Sequence, residues 1–268
     1  MKPHIIISRE QILKDWNEQF PLLTPYSSTS LMMKLDIFLV GVRIERSQWG
    51  GDEYTPHFIC RALWDKYSNG SYRDLILQGL IDNKSKTNYS FDSLHYQYSF
   101  MDTILCAKKQ FGFLFREKVM LSDFIRYLYF YNNIYRRGHP FLPEMVDAYR
   151  LQFALALYLN ESQFIEMLKC RLEKESKGWN NEQFHYIYNE SINEWIEKQY
   201  VFLDHREEFL ATIKENAAKP KLKKMKEGHI VNDIDTSIRL LKQQDSIIGR
   251  LLGGIINIYS EKVVKIGL

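Results

Sequence analysis

The hydrophobic rhythm of this chain changes near Leu94. Before it, apolar residues come in short runs broken by Gly, Pro, Asn and Asp, the pattern of strands and tight turns. After it they recur at helical spacing for over a hundred residues, on segments crowded with Tyr and Phe. A strand-rich start followed by a helical majority points to an α+β fold. The expected form is a small N-terminal antiparallel β-sheet, hairpin-based, followed by a predominantly helical bundle or helical-hairpin array. Residues 1–92 read as an N-terminal α+β subdomain, 93–218 as a helical domain, and 219–268 as a basic linker with a C-terminal helix.

In the first region, Ser8-Arg9-Glu10-Gln11 reads as a capping box that opens a helix. That helix carries Ile12, Leu13, Trp16 and Phe20 inward and ends before Pro21. Thr24 to Thr29 reads as a polar connection. Leu35 to Arg46 is β-branched and continuous in its middle, which suits one strand buried on both faces. Trp49-Gly50-Gly51-Asp52 marks a reversal, and Phe58 to Trp64 reads as the second strand of a hairpin, with Pro56 at its start. Asn69-Gly70 marks another turn, and Leu75-Ile76-Leu77 adds a third strand.

From Ser93 the period predicts helices near 95–110, 122–136, 144–159, 162–176, 181–200, 204–217 and 234–260. The segment Met145 to Leu159 is apolar on more than one face, so its helix belongs at the centre. Asn160 stops it, Gly178 and Asn180-Asn181 separate the next pair, and Pro220 ends the sixth helix. Stacked helical hairpins would have this spacing, but no repeated signature accompanies it.

The charge balance is mild for 268 residues, at +3 with a sequence pI near 8.5, so any nucleic-acid contact must be local. Aromatic residues make up 14%, and such side chains either close a core or anchor an interface. Cys60, Cys106 and Cys170 are odd in number and far apart, which fits three buried, reduced thiols and neither a disulfide framework nor a metal knuckle. Met1 to Ser8 has too short an apolar run for a signal peptide, and no stretch reaches the roughly 20 apolar residues of a spanning helix. The expectation is a soluble, cytoplasmic protein that makes no membrane contact.

Tests for chemistry yield fragments. Gly138-His139-Pro140-Phe141 resembles the start of the Fic nucleotidyl-transferase motif, but the glycine-rich anion loop is missing and Pro143 has no amide to donate. Glu182-x-x-His185 has the helical spacing of carboxylate-bridged di-metal bundles, yet its nearest second copy, Asp92-x-x-His95, sits at a loop–helix boundary. Glu175-Ser176-Lys177 lies at the end of a charged helix, where Lys complements the dipole. Asp36, Glu45, Asp52 and Glu53, with Arg43, Arg46 and Lys66, are the polar groups of the N-terminal hairpin. No catalytic set, cofactor or metal is implied by these residues.

Two local features point to partners. Lys219, Lys221, Lys223, Lys224 and Lys226 form the strongest charge run, suited to a solvated linker, a polyanion or an acidic protein. No arginine or aromatic is interleaved, so neither base reading nor stacking is implied. Gly249 and Gly253 have the small-xxx-small spacing that lets another backbone approach, for packing within the chain or self-association through the C-terminal helix.

The functional expectation is a non-catalytic protein–protein interaction protein that presents aromatic helix faces to a protein partner. The Lys-, Ile-, Asn- and Tyr-leaning composition is that of an AT-rich microbial genome, and by association with helical proteins of such genomes the expected role is a microbial toxin-immunity or phage-defence accessory component. The first alternative is a nucleic-acid-associated protein using the Lys219–Lys226 segment. The second is an enzyme whose site converges near the N-terminal hairpin and His57.

Overall fold

The computed structural model of the chain describes residues 7–46, 53–66, 70–82, 88–92, 96–135 and 143–242. The expected helix at 234–260 is helical over 234–242, and the rest of it, with Gly249 and Gly253, lies outside the described residues. Trp49–Asp52, His95 and residues 138–141 lie outside them too.

The α+β class is what the chain adopts, but its sheet is larger than a hairpin. It has eight strands and is mixed. They are β1 (Thr24–Ser27), β2 (Ser30–Leu35), β3 (Phe38–Arg46), β4 (Glu53–Lys66), β5 (Tyr72–Gly79), β6 (Phe91–Asp92), β7 (Lys118–Met120) and β8 (Glu227–Val231). The order is β5-β4-β3-β2-β8-β7, with β1 paired to β2 and β6 paired to β4. β2 through β5 are antiparallel neighbours, whereas β8 runs parallel to both β2 and β7. β8 falls in the span expected to hold a linker and a terminal helix. The chain thus returns to its first sheet after crossing the helical region.

The expected strand from Leu35 to Arg46 is two strands. Leu35 pairs with Phe38, so Asp36 and Ile37 form the reversal. Asp36 sits at φ +46°, a left-handed conformation that Asp tolerates better than most residues. Its carboxylate accepts a hydrogen bond from the Ile230 amide at 2.6 Å and lies 3.0 Å from His229 Nδ1. Ile37 is buried like its neighbours, so the apolar run continues through the turn and conceals it. The polar connection expected at Thr24–Thr29 is largely β1, paired along the edge of β2.

Glycines mark two close approaches. A Cβ on Gly41 would lie 2.0 Å from the Leu31 carbonyl oxygen, and one on Gly228 would lie 2.4 Å from that of Arg116. Only glycine lets these backbones come so near.

Helices α1 (Arg9–Gln19), α2 (Tyr96–Gln110), α3 (Leu121–Tyr135), α4 (Pro143–Leu159), α5 (Ser162–Ser176), α6 (Asn181–Tyr188), α7 (Ile192–Asp204) and α8 (Arg206–Ala217) follow the predicted periods closely. The Ser8 hydroxyl accepts from the Gln11 amide, as the capping signal requires, although the Gln11 side chain turns to Asp15 instead of reaching back. The helix expected over 181–200 breaks in two. Asn189, at φ +56°, closes α6, and Ser191 with Glu194 forms a complete capping box that opens α7. Arg206 on α8 donates to the carbonyls of Leu157 and Tyr158, tying the C-terminal end of α4 to its neighbour.

The core is continuous from sheet to helices. Phe58 of β4 meets Phe111, Phe115 and Tyr127, and the buried Tyr127 hydroxyl donates to Gln78 on β5. Asn216 on α8 donates to the Leu63 carbonyl, docking α8 on β4. A second aromatic knot, Tyr149, Trp179, Phe184 and Trp195, closes the helical side. Cys60 and Cys106 are buried, and burial pushes the Cys60 thiol well up. Cys170 is exposed on α5, contrary to the expectation of three buried thiols.

Candidate functional site

The lysine run is an ordered ridge. After α8 the chain makes a one-turn helix, α9 (Pro220–Lys223), with Pro220 in the first turn, where its missing amide costs nothing. Leu222 and Met225 are buried, so Lys221, Lys223, Lys224 and Lys226 are left exposed around them. Lys226 is pinned at both ends: its ammonium donates to the Pro21 carbonyl and its own carbonyl accepts from the Lys34 amide. The next residue, Glu227, pairs with Lys34.

The fold supplies the aromatic and arginine partners that the run lacks in sequence. Lys66, the last residue of β4, registers with Tyr72, the first of β5. The ammonium of Lys66 stands 5.4 Å from the Tyr72 ring centre, and that of Lys219 stands 6.0 Å from the same ring. Lys221 lies 3.7 Å above the ring of Tyr26 on β1, with the Arg61 guanidinium 5.6 Å from that ring. Arg61 is held by Asp74 on the neighbouring strand. Nothing local in the sequence announces this corner, because strand register and the return of the chain after α8 assemble it.

A second surface is apolar. On α2, Tyr98, Met101 and Leu105 follow i, i+3, i+7 spacing and share one face, where they are 85%, 52% and 60% exposed. Thr103, Ile104 and Ala107 hold the inner face of the same helix in the core. Most other described rings are inside, so the aromatic abundance is consumed largely by packing.

A cleft of about 370 Å³ opens between the end of β4 and helices α7 and α8, within the size range of small-molecule sites. Trp64, Asp65, Arg150, Phe202, His205 and Glu208 line it. Its charges have partners: Asp65 lies 3.7 Å from Arg73 and Arg150 lies 3.4 Å from Asp147, these two partners standing outside the lining, and His205 lies 3.6 Å from Glu208 within it. The His205–Glu208 pair sits on an open rim, where solvent weakens its electrostatics.

The hairpin charges do not converge. Arg43, Glu45 and His57 gather at one end of β3, while Asp36 lies at its other end beside β8. Burial holds the His57 imidazole below its ordinary pKa, against the pull of Glu45 and the Thr55 carbonyl. Glu182 and His185 are exposed on α6, and Glu175 pairs with Arg171. Among the described residues, no group of three His, Cys, Asp or Glu is placed to hold a metal ion. No helix among them is long and apolar enough to cross a membrane.

Comparison with known protein families, with curated proteins and with solved structures finds no match to this chain.

Proposed function

We propose that the chain is a non-catalytic interaction protein and that its protein partner seats on the outer face of α2. The supporting observation is the exposed Tyr98, Met101 and Leu105 stripe, which has the spacing of anchors that enter an apolar groove. Large apolar side chains usually leave water, and a contiguous exposed set is the exception that favours association. The inner face of α2 is packed, so the anchors are presented on a rigid helix and little ordering entropy is lost on docking. Gln97, Asp102 and Lys109 are exposed around the stripe and supply the polar rim of such an interface. Within this reading, an immunity factor for a toxin or an accessory subunit of a phage-defence assembly is the role proposed, by association with helical proteins of AT-rich microbial genomes, whose Lys-, Ile-, Asn- and Tyr-leaning composition this chain has.

The experiment compares proteins retained by the immobilised wild-type chain with those retained by Met101→Glu/Leu105→Glu. Val201→Glu, which alters an exposed apolar residue on α7, is the control. The reading expects a stoichiometric partner held by wild type and control and lost by the α2 variant. A partner held equally by all three would contradict it, as would none in any of them together with a monomeric wild-type mass by light scattering.

A further inference from the structure

We infer that the corner formed by Lys66, Tyr72, Lys219, Lys221 and Tyr26 is a nucleotide-binding site, taking a phosphate and a planar base in a sequence-indifferent way. This inference stands apart from the α2 surface and does not depend on it.

The charge arrangement comes first. The ammonium groups of Lys66 and Lys219 both approach the single ring of Tyr72, at 5.4 Å and 6.0 Å from its centre. Like charges gathered around one ring repel each other, and an anion placed between them relieves that repulsion. Asn216 holds Lys219 through a 2.7 Å hydrogen bond to its side-chain oxygen. Lys66, Lys219, Lys221 and Arg61 bring four positive charges to the corner. Among the described residues, Asp74, already taken by Arg61, and Glu215 are the carboxylates shown to act there. The corner therefore carries uncompensated positive charge, and a phosphate would relieve it.

The Tyr72 hydroxyl is an independent observation. Tyr72 is only 9% exposed, and its hydroxyl is buried with no hydrogen-bond partner among the described residues. Folded proteins rarely leave a buried hydroxyl unpaired, and a partner arriving from outside is one way the cost is met.

Tyr26 supplies the base platform. It is half-buried on β1, and in the free protein Lys221 covers its ring face. A base that stacks there displaces the ammonium, which then reaches the adjoining phosphate. Arg61 is locked by Asp74 and so is not free to read a base edge, hence the indifference to sequence. Stacking needs an unpaired base, so the nucleotide comes from a single strand or is free in solution.

The test uses the full-length chain and fluorescence anisotropy with a labelled oligothymidylate of about 12 nucleotides. A duplex of equal length and adenosine monophosphate serve as competitors. The site predicts that the single strand binds in preference to the duplex. Lys66→Gln/Lys219→Gln should reduce the magnitude of the log–log salt slope by about 1.4, at about 0.7 per phosphate contact. Tyr26→Ala should weaken binding by about tenfold, with circular dichroism confirming the fold and Tyr26→Phe restoring affinity. Lys223→Gln/Lys224→Gln removes the same charge outside the corner and should cost clearly less. Competition by the mononucleotide would assign the free nucleotide as sufficient ligand; its failure would assign the strand. The inference is overturned by absence of binding at low salt, by equal losses in the two double-lysine variants, or by an unchanged affinity in Tyr26→Ala.

Discussion

Two aromatic-bearing helical surfaces in this protein have opposite fates. Around Trp179, the rings of Tyr149, Phe184 and Trp195 approach within about 6 Å of its centre and are buried. On the outer face of α2, Tyr98 stands 85% exposed beside Met101 and Leu105. Residue type does not separate the two sets, since each is large, apolar and set on or beside a helix. What separates them is whether another element lies opposite: several helices cover the first set, and the described chain puts nothing over the second. Aromatic content in the sequence therefore marks chiefly the interior, and an interface has to be sought in the few large side chains the interior leaves out.

Substitutions inside and outside the packed regions put the contrast to the test. The largest loss is expected from Trp195→Ala, which removes a fully buried ring from the knot; denaturant unfolding should show about 3–5 kcal/mol of destabilisation. Gly41→Ala forces a methyl group toward the Leu31 carbonyl oxygen and should cost roughly 1–3 kcal/mol by the same measurement. A half-buried group comes next. Burial lowers the folded pKa of His57 below its ordinary 6.5, so the unfolded chain takes up that proton more readily. The stability linked to His57 is therefore full above about 6.5 and is lost as pH falls through the depressed folded value. His57→Gln should flatten the acid side of a urea-midpoint profile, and an unchanged profile would place His57 in solvent. The smallest change in stability is expected from Leu105→Glu on α2, within about 0.5 kcal/mol of wild type.

The same contrast explains what the sequence disclosed. Helices α2 to α5 were legible because a 3.6-residue period survives wherever one face is buried, and Asn160 and Pro143 mark their ends. The Ser191-x-x-Glu194 capping box was present in the sequence, but the apolar period runs on across Asn189 and masks the break. The turn at Asp36–Ile37 was hidden for the corresponding reason in strands, since full burial removes the alternation that locates an end. β7 and β8 are short and join the sheet only through parallel pairing between distant segments, which no local pattern carries. Of the candidate sites, the lysines were visible as a charge run. Their meeting with Tyr26, Tyr72 and Arg61 depends on register and topology. The α2 stripe was present as a spacing, but exposure decides its meaning and requires the fold.

The most direct test of the central claim is one paired measurement on Met101→Glu/Leu105→Glu: unfolding free energy beside retention of the partner captured by the wild-type chain. A face that exists for docking predicts stability within about 1 kcal/mol of wild type, with the partner lost. A marked loss of stability, or a partner retained in full, would mean that these side chains serve the fold or nothing, and the account would fail.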